Sequence, residues 1–187
     1  MAGVVHSLRS RLWRAGLGVG MVMMALTIGL GAQGGPPLGR GMQGGMGGMK
    51  DDPSHMADME MFHALLDHRD QIRRSVTVRP DGVDTLTESD DPAVVTLIQS
   101  HVNAMYGRVK DARPIHMRDP LFRAVFENTD KIVMAHEMTA KGIKVTETSK
   151  DPYVAELIKA HAEVVNLFIK NGRSEMMKNH EVPKRPQ

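Results

Sequence analysis

Residues 142–161 read GIKVTETSKDPYVAELIKAH, and an earlier stretch, residues 82–101, reads GVDTLTESDDPAVVTLIQSH. The two stretches align without a gap at an offset of sixty residues. Over a longer comparison, of residues 62–113 with residues 122–173, fourteen of the fifty-two positions are identical. Self-similarity at one fixed offset indicates a duplicated supersecondary unit. We therefore look for candidate functional residues at equivalent positions of the two units.

The chain is predicted to contain an export signal, a tether, two repeat units and a tail. In that order, they span residues 1–32, 33–51, 52–113, 114–180 and 181–187. Arg9, Arg11 and Arg14 precede an apolar run from Ala15 to Leu30, and a small-residue cleavage site follows, which is typical of an export signal. An uncleaved membrane anchor is the alternative. Either one predicts that the folded part is periplasmic or otherwise exported.

Charge and cysteine content narrow the possible functions. The chain has 24 basic and 22 acidic residues, and removal of the three signal arginines leaves 21 against 22, so the mature protein is close to neutral. No basic stripe remains and the chain has few aromatic residues, so nucleic acid is not an expected partner. The absence of cysteine excludes disulfides, thiolate metal sites and covalent haem attachment.

The glycine-rich tether contains Met42, Met46 and Met49, which suit a flexible tail or Cu(I) binding.

Each repeat unit is predicted to fold as helix, strand, strand and helix. Asp-Pro pairs supply a helix N-cap and a proline at the first helical position. Helical periodicity and strand alternation then predict helices at 52–71, 91–109, 119–126 and 152–170, strands at 72–78, 83–89, 132–138 and 143–148, and a helical turn at 175–180. A lone hairpin is not stable. We therefore predict an α+β fold with one four-stranded antiparallel sheet, helices on one face and an approximate two-fold axis.

His101 and His161 are the first candidate site residues because they occupy equivalent positions in the two units. Each lies in the middle of the apolar stripe of its helix, so a two-fold axis would bring the two rings face to face. The alternative is that both are inherited core residues, each satisfied by a local hydrogen bond.

The strand around His136 adds a second group of candidates. Met134, His136 and Met138 share one face of that strand, because side chains alternate with a period of two. The equivalent Val76 and Val78 suggest that this face points to the core. Imidazole and thioether groups together suit copper. We therefore predict a metal site made of His101, His161, His136, Met134, Met138 and Met105, with simple core filling by methionine as the alternative.

Haem b, bound without a covalent link, is an alternative cofactor for the same residues. His101 and His161, or His101 and Met105 one helical turn away, are possible axial ligands. A porphyrin needs a large apolar slot, which a unit of this size has little room to provide. His116 and the histidines at 55, 63 and 68 are possible further ligands, although scattered surface histidines account for them equally well.

Both units share a motif in which Gly-Val or Gly-Ile is followed by Ser-x-Asp-Pro-x-Val and then by Leu-Ile-x-x-His. This motif resembles a group of exported bacterial proteins without an established activity. The resemblance covers the chain beyond the tether, implies secretion and a duplicated α+β unit, and transfers no catalytic residue. The tether is similar in composition to the leaders of exported copper-handling proteins.

A binding protein is expected rather than an enzyme, since the chain has no nucleophile elbow, no His-Glu-x-x-His motif and no glycine-rich phosphate loop. The leading hypothesis is an exported copper-binding protein that sequesters or delivers the metal ion, with a periplasmic or membrane redox partner. The alternatives are a haem-b-binding or electron-transfer protein and a cofactor-free interaction module.

Overall fold

The computed structural model describes residues 52–185. Four α-helices, four β-strands and three short 3₁₀ helices make up this part of the chain. The helices are α1 (His55–Asp67), α2 (Pro92–Lys110), α3 (Pro120–Phe126) and α4 (Pro152–Asn171). The strands are β1 (Arg73–Arg79), β2 (Gly82–Glu88), β3 (Val133–Thr139) and β4 (Gly142–Thr148), and the 3₁₀ helices span Arg69–Gln71, Thr129–Lys131 and Gly172–Met177. The predicted α+β class is confirmed.

Residues 52–113 contain a helix, a 3₁₀ helix, two strands and a long helix in that order, and residues 114–180 contain the same series followed by one further 3₁₀ helix. A two-fold relation between the two halves stays a prediction. The helical turn predicted at 175–180 is placed differently, because the last 3₁₀ helix spans Gly172–Met177 and His180 lies beyond it.

Aspartate caps begin three of the helices, as predicted. The side chains of Asp91, Asp119 and Asp151 accept hydrogen bonds from the backbone N–H two residues later, at 2.8, 3.0 and 3.0 Å respectively. Each is followed by a proline at the first helical position. These caps satisfy backbone donors that the first helical turn leaves free. They therefore determine where α2, α3 and α4 begin.

Asp52, before helix α1, combines the predicted cap with a buried ion pair. Its Oδ1 atom accepts a hydrogen bond from the Ser54 backbone N–H at 3.0 Å, two residues later as in the other caps. Arg108 on α2 has no exposed surface; its Nε donates to Asp58 at 2.6 Å and its Nη1 to Asp52 at 2.7 Å. A guanidinium removed from water needs such carboxylates, so the Oδ2 atom of Asp52 pairs with Arg108 while its Oδ1 atom caps the turn before α1, which begins at His55. In the second half, Phe168 occupies the position equivalent to Arg108 and belongs to the hydrophobic core.

The two hairpins form one open antiparallel sheet in the order β1-β2-β4-β3. The inner strands β2 and β4 pair around Thr85 and Val145, with Gly82 opposite Thr148 and Glu88 opposite Gly142. The predicted four-stranded antiparallel sheet is confirmed. Strands β1 and β3 are the two edges, so the hairpins meet through their second strands.

The long helices cross between the halves, since α2 packs on β4 and α4 packs on β2. Val94 and Ile98 of α2 share one apolar cluster with Ile143 of β4. Val83 of β2 shares another cluster with Leu157 of α4. Each half therefore completes the core of the other. The space left between the helices and this face of the sheet contains the candidate site.

Candidate functional site

A cavity of about 220 Å³ lies between the helices and the sheet. Its lining comes from all four helices and all four strands and is mostly apolar. The ionisable groups that line it are Asp58, Arg69, Arg74, His101, His116, Glu147 and His161. Interiors of folded proteins rarely place so many such groups around one apolar space without a partner. This cavity is therefore the candidate functional site.

His101 and His161 both line this cavity, as their equivalent stripe positions predicted. Each ring lies one turn beyond a fully packed isoleucine, Ile98 on α2 and Ile158 on α4, both 2% exposed. That packing holds each helix so that the next inward position opens into the cavity. Both histidines are half-buried, and both line the cavity.

A phenylalanine supports each of these histidines. Phe62 of α1 stacks on the His101 ring, with 5.8 Å between centroids and 22° between planes. Phe122 of α3 meets the His161 ring edge-on at 5.1 Å and 78°. The Nδ1 atom of His101 is buried and has no hydrogen-bond partner within the described residues. The rings are thus positioned by packing, and at least one has unused hydrogen-bonding capacity.

Both imidazoles are neutral at pH 7. Removal from bulk water lowers the pKa of His101 to about 4, although the Asp58 carboxylate acts in the opposite direction. The pKa of His161 is also lowered to about 4, first by burial and then by the nearby Arg74 charge, against a smaller opposing effect of Asp119. An unprotonated imidazole keeps a nitrogen lone pair, which a metal centre requires. The two rings are therefore competent as ligands at neutral pH.

His136 does not belong to the cavity lining. It lies on the edge strand β3, opposite Val145 of β4, and its ring meets Tyr106 of α2 edge-on at 5.0 Å and 68°. The expected convergence of His136 with the other two imidazoles is therefore not found in residues 52–185. In that same part of the chain, no group of three or more His, Cys, Asp or Glu residues has a geometry that could hold a metal ion.

The three candidate methionines divide in a similar way. Met105 of α2 and Met134 of β3 line the cavity. Met138 lies near the end of β3, is 52% exposed and is not part of the lining. A common strand face therefore did not bring Met134 and Met138 to one site, because the helices cover only part of that face.

His116, which was considered a further ligand or a surface residue, lines the cavity. Its ring packs edge-on against Phe122 at 4.8 Å, and its Nε2 atom is buried without a hydrogen-bond partner in the described residues. Its backbone has a φ of 57°, in the left-handed region. Burial lowers the pKa of His116. The linker between the two halves therefore contributes a third imidazole to the cavity wall.

Arg74 and Glu147 are site residues that the sequence analysis missed. Arg74 on β1 donates from Nε to Asn166 Oδ1 and from Nη1 to Thr87 Oγ1, both at 3.1 Å. Removal from water raises the pKa of Glu147 on β4, and the Arg74 charge acts against this effect. A signal was present in the sequence, because Arg74 lies between Ile72 and Val76 in the alternating set of its strand. The next member of that set, Val78, which was expected to face the core, is 62% exposed, because the helices cover only part of this sheet face.

A groove of about 480 Å³ adjoins the cavity beside the C-terminal end of α2. It is lined by Tyr106, Val109, Lys110, Ala112, Thr129, Asp130, Ile132, Val133 and Met134. Val109, Ile132 and Met134 line both spaces. These three side chains therefore form the boundary between the cavity and the groove.

The corresponding place beside α4, in the second half, is filled by other side chains of the protein. Arg74 reaches Asn166 of α4 there, and the Arg69 side chain packs closely against Gly172. The 3₁₀ helix Gly172–Met177 contacts α1 and is joined to it by the Arg173–Asp67 ion pair at 2.7 Å. The groove beside α2 has no such cover within residues 52–185.

Comparison with known proteins found no matching family model, no similar curated protein and no similar solved structure. None of the helices between residues 52 and 185 is long and apolar enough to cross a membrane. The predicted export signal and the tether with its three methionines lie outside the described residues.

Proposed function

We propose that this protein binds haem b non-covalently in the central cavity, with His101 and His161 as the two axial ligands. The observation that supports this proposal is that two neutral imidazoles from different helices line one apolar cavity. Haem iron accepts a His/His pair. The aromatic and aliphatic lining suits the porphyrin ring, and electron transfer is a function consistent with such a centre.

Size favours a ring system over a bare ion. The cavity of about 220 Å³ is larger than the roughly 150 Å³ of an engineered protein cavity that holds benzene. It is smaller than the roughly 300–1,000 Å³ typical of pockets for larger ligands. The adjoining groove, of about 480 Å³, shares three lining residues with it. We expect a haem to occupy the cavity and to extend past Val109 and Met134 into the groove.

Copper binding, for sequestration or delivery, is the second candidate function. It is favoured by the thioethers of Met105 and Met134 and by the His116 ring, which line the same cavity as His101 and His161. Imidazole and thioether groups together suit Cu(I). The positive charge of Arg74 in the same space opposes a bound cation, so we rank copper below haem.

A cofactor-free interaction module fits the cavity less well. Buried polar groups are normally paired, whereas His101 Nδ1 and His116 Nε2 have no partner in the described part of the chain. A ligand bound in the cavity would supply these two nitrogen atoms with a partner, which an empty apolar cavity does not.

The haem proposal is tested by titrating the purified full-length protein with iron protoporphyrin IX and recording the visible spectrum in both oxidation states. We expect one equivalent to bind with the spectrum of a low-spin, six-coordinate iron. His101→Ala and His161→Ala should each abolish that spectrum. The control is His68→Ala, which changes an exposed histidine that does not line the cavity.

The same preparation is also titrated with Cu(I) against a chelator of known affinity. Stoichiometric Cu(I) binding that depends on His101, together with no porphyrin binding, would select the copper function. A low-spin haem spectrum that survives loss of both histidines would exclude them as axial ligands.

A further inference from the structure

Arg74 is a charged group in the cavity wall that has no carboxylate in direct contact within the described part of the chain. It lies on the edge strand β1, on the same sheet face as Val76, and lines the cavity. Its two hydrogen bonds go to neutral groups, Asn166 Oδ1 and Thr87 Oγ1. Within residues 52–185, no carboxylate oxygen comes within 4.0 Å of its guanidinium.

A guanidinium keeps its charge inside proteins and has five N–H donors. Two of these donors are used by Thr87 and Asn166. Those two contacts fix the plane of the group and leave Nη2 without a protein acceptor in the described residues. A charge removed from water is costly unless an opposite charge meets it. Arg108 in the same protein follows this rule, with Asp58 and Asp52 in direct contact.

Glu147 does not supply the missing partner at contact distance. It lines the same cavity from β4 and acts on Arg74 through a longer-range electrostatic interaction, without a hydrogen bond between the two side chains. Removal from water raises the pKa of Glu147, which favours its neutral form. His161, also near Arg74, is neutral at pH 7 because its pKa is about 4. Glu163, the second carboxylate whose charge acts on Arg74, also lies beyond contact distance. Within residues 52–185, Arg74 is therefore left without a carboxylate in direct contact.

We infer that the cavity binds an amphipathic anion, whose carboxylate pairs with Arg74 while its apolar body occupies the phenylalanine- and methionine-lined space. The planar fork of an arginine matches a carboxylate with two parallel hydrogen bonds. This inference rests on the proposed function to the extent that the haem propionates are one such carboxylate. The chemistry it requires is wider and includes any apolar carboxylic acid of suitable size.

The test compares acids with their neutral esters in the wild-type protein and two variants. The probes are iron protoporphyrin IX and its dimethyl ester, and dodecanoate and methyl dodecanoate, with affinities measured by calorimetry. Arg74→Gln removes the cavity charge. Arg73→Gln is the matched control, since Arg73 lies one residue away on the opposite sheet face, where it pairs with Asp90 at the surface.

We expect the wild-type protein and Arg73→Gln to bind each acid about ten- to hundredfold more tightly than its ester, the range of a charge-assisted hydrogen bond. In Arg74→Gln the preference should fall below about twofold. Thermal melting checks that the variant is folded. If it is not, Arg74→Lys, which keeps the charge and loses the fork, should show an intermediate preference.

The outcomes separate this inference from the haem proposal. If haem and its dimethyl ester bind equally tightly and both need the two histidines, the haem function is supported. The same result would overturn the inference that Arg74 pairs with the ligand carboxylate. Binding of dodecanoate with an Arg74-dependent preference, without porphyrin binding, would reject haem and support the amphipathic anion. An acid preference that persists in Arg74→Gln, or no binding of either acid, would overturn the inference.

Discussion

His101 and His161 carry no charge at neutral pH because each ring has lost its bulk water, which lowers its pKa to about 4. In the unfolded chain the same groups titrate near their ordinary value of about 6.5. Between these two values the unfolded state binds more protons than the folded state. Stability is therefore fully present above about pH 6.5 and is lost as the pH falls toward 4.

We predict that the double variant His101→Gln/His161→Gln has a flatter dependence of unfolding free energy on pH over this window. Each histidine contributes at most about 1.4 kcal/mol per pH unit, because one proton is linked to each ring. Urea denaturation of apoprotein at half-unit steps from pH 4 to pH 7.5 measures both slopes. His68→Gln is the control and should keep the wild-type slope. Equal slopes in the double variant and the wild type would mean that the two rings titrate normally.

At the scale of elements, the close approach of β2 and β4 depends on two glycines. A Cβ on Gly142 would lie 1.9 Å from the Thr87 carbonyl oxygen, a distance that no real side chain tolerates against backbone. Gly82 meets Glu147 in the same way at the other end of the pairing. Each inner strand therefore begins with glycine, Gly82 in β2 and Gly142 in β4, because the backbone of the other inner strand leaves no room for a side chain there.

We predict that Gly142→Ala lowers the unfolding free energy by about 1–3 kcal/mol, the usual range for forcing extra volume into a packed site. Gly107→Ala is the matched control, because Gly107 lies inside α2 with only Arg113 nearby, at 3.7 Å. That change should stabilise the protein by roughly 0.5–1 kcal/mol, since alanine favours a helix interior. Denaturant unfolding measures both. A neutral Gly142→Ala would show that the inner strands can separate without cost.

At the scale of the whole molecule, neither half has a complete core. Helix α2 of the first half packs on β4 of the second, and α4 packs on β2. The cavity between them is lined by residues from both halves. The site and the core therefore depend on the same pairing of β2 with β4.

We predict that a fragment of residues 52–113 does not fold as a monomer, because its hairpin loses the inner partner strand and its long helix loses β4. Circular dichroism and sedimentation should show a largely unfolded chain or a dimer that replaces the missing half. Residues 52–185 serve as the folded control. Cooperative melting of the monomeric fragment would contradict the prediction.

The sequence by itself determined the kind, number and order of the main elements. Asp-Pro caps, hairpin turns and alternating strands act within a few residues, so Asp91, Asp119 and Asp151 could be assigned as caps without any tertiary contact. The joining of two hairpins into one antiparallel sheet followed because neither is stable alone. The common location of His101 and His161 followed from their equivalent places on two apolar stripes.

Only the tertiary structure decided which of the remaining side chains meet. Periodicity gives the face of a strand that a residue occupies, but the sheet order and the helix crossings decide what lies above that face. His136 therefore faces Tyr106 on an edge strand, and Arg74, which was not among the expected site residues, lines the cavity. Asp52, expected as a cap, accepts from the Ser54 backbone N–H as expected and also pairs with Arg108, fifty-six residues away. Such contacts join groups distant in the chain, where local rules carry no information about position.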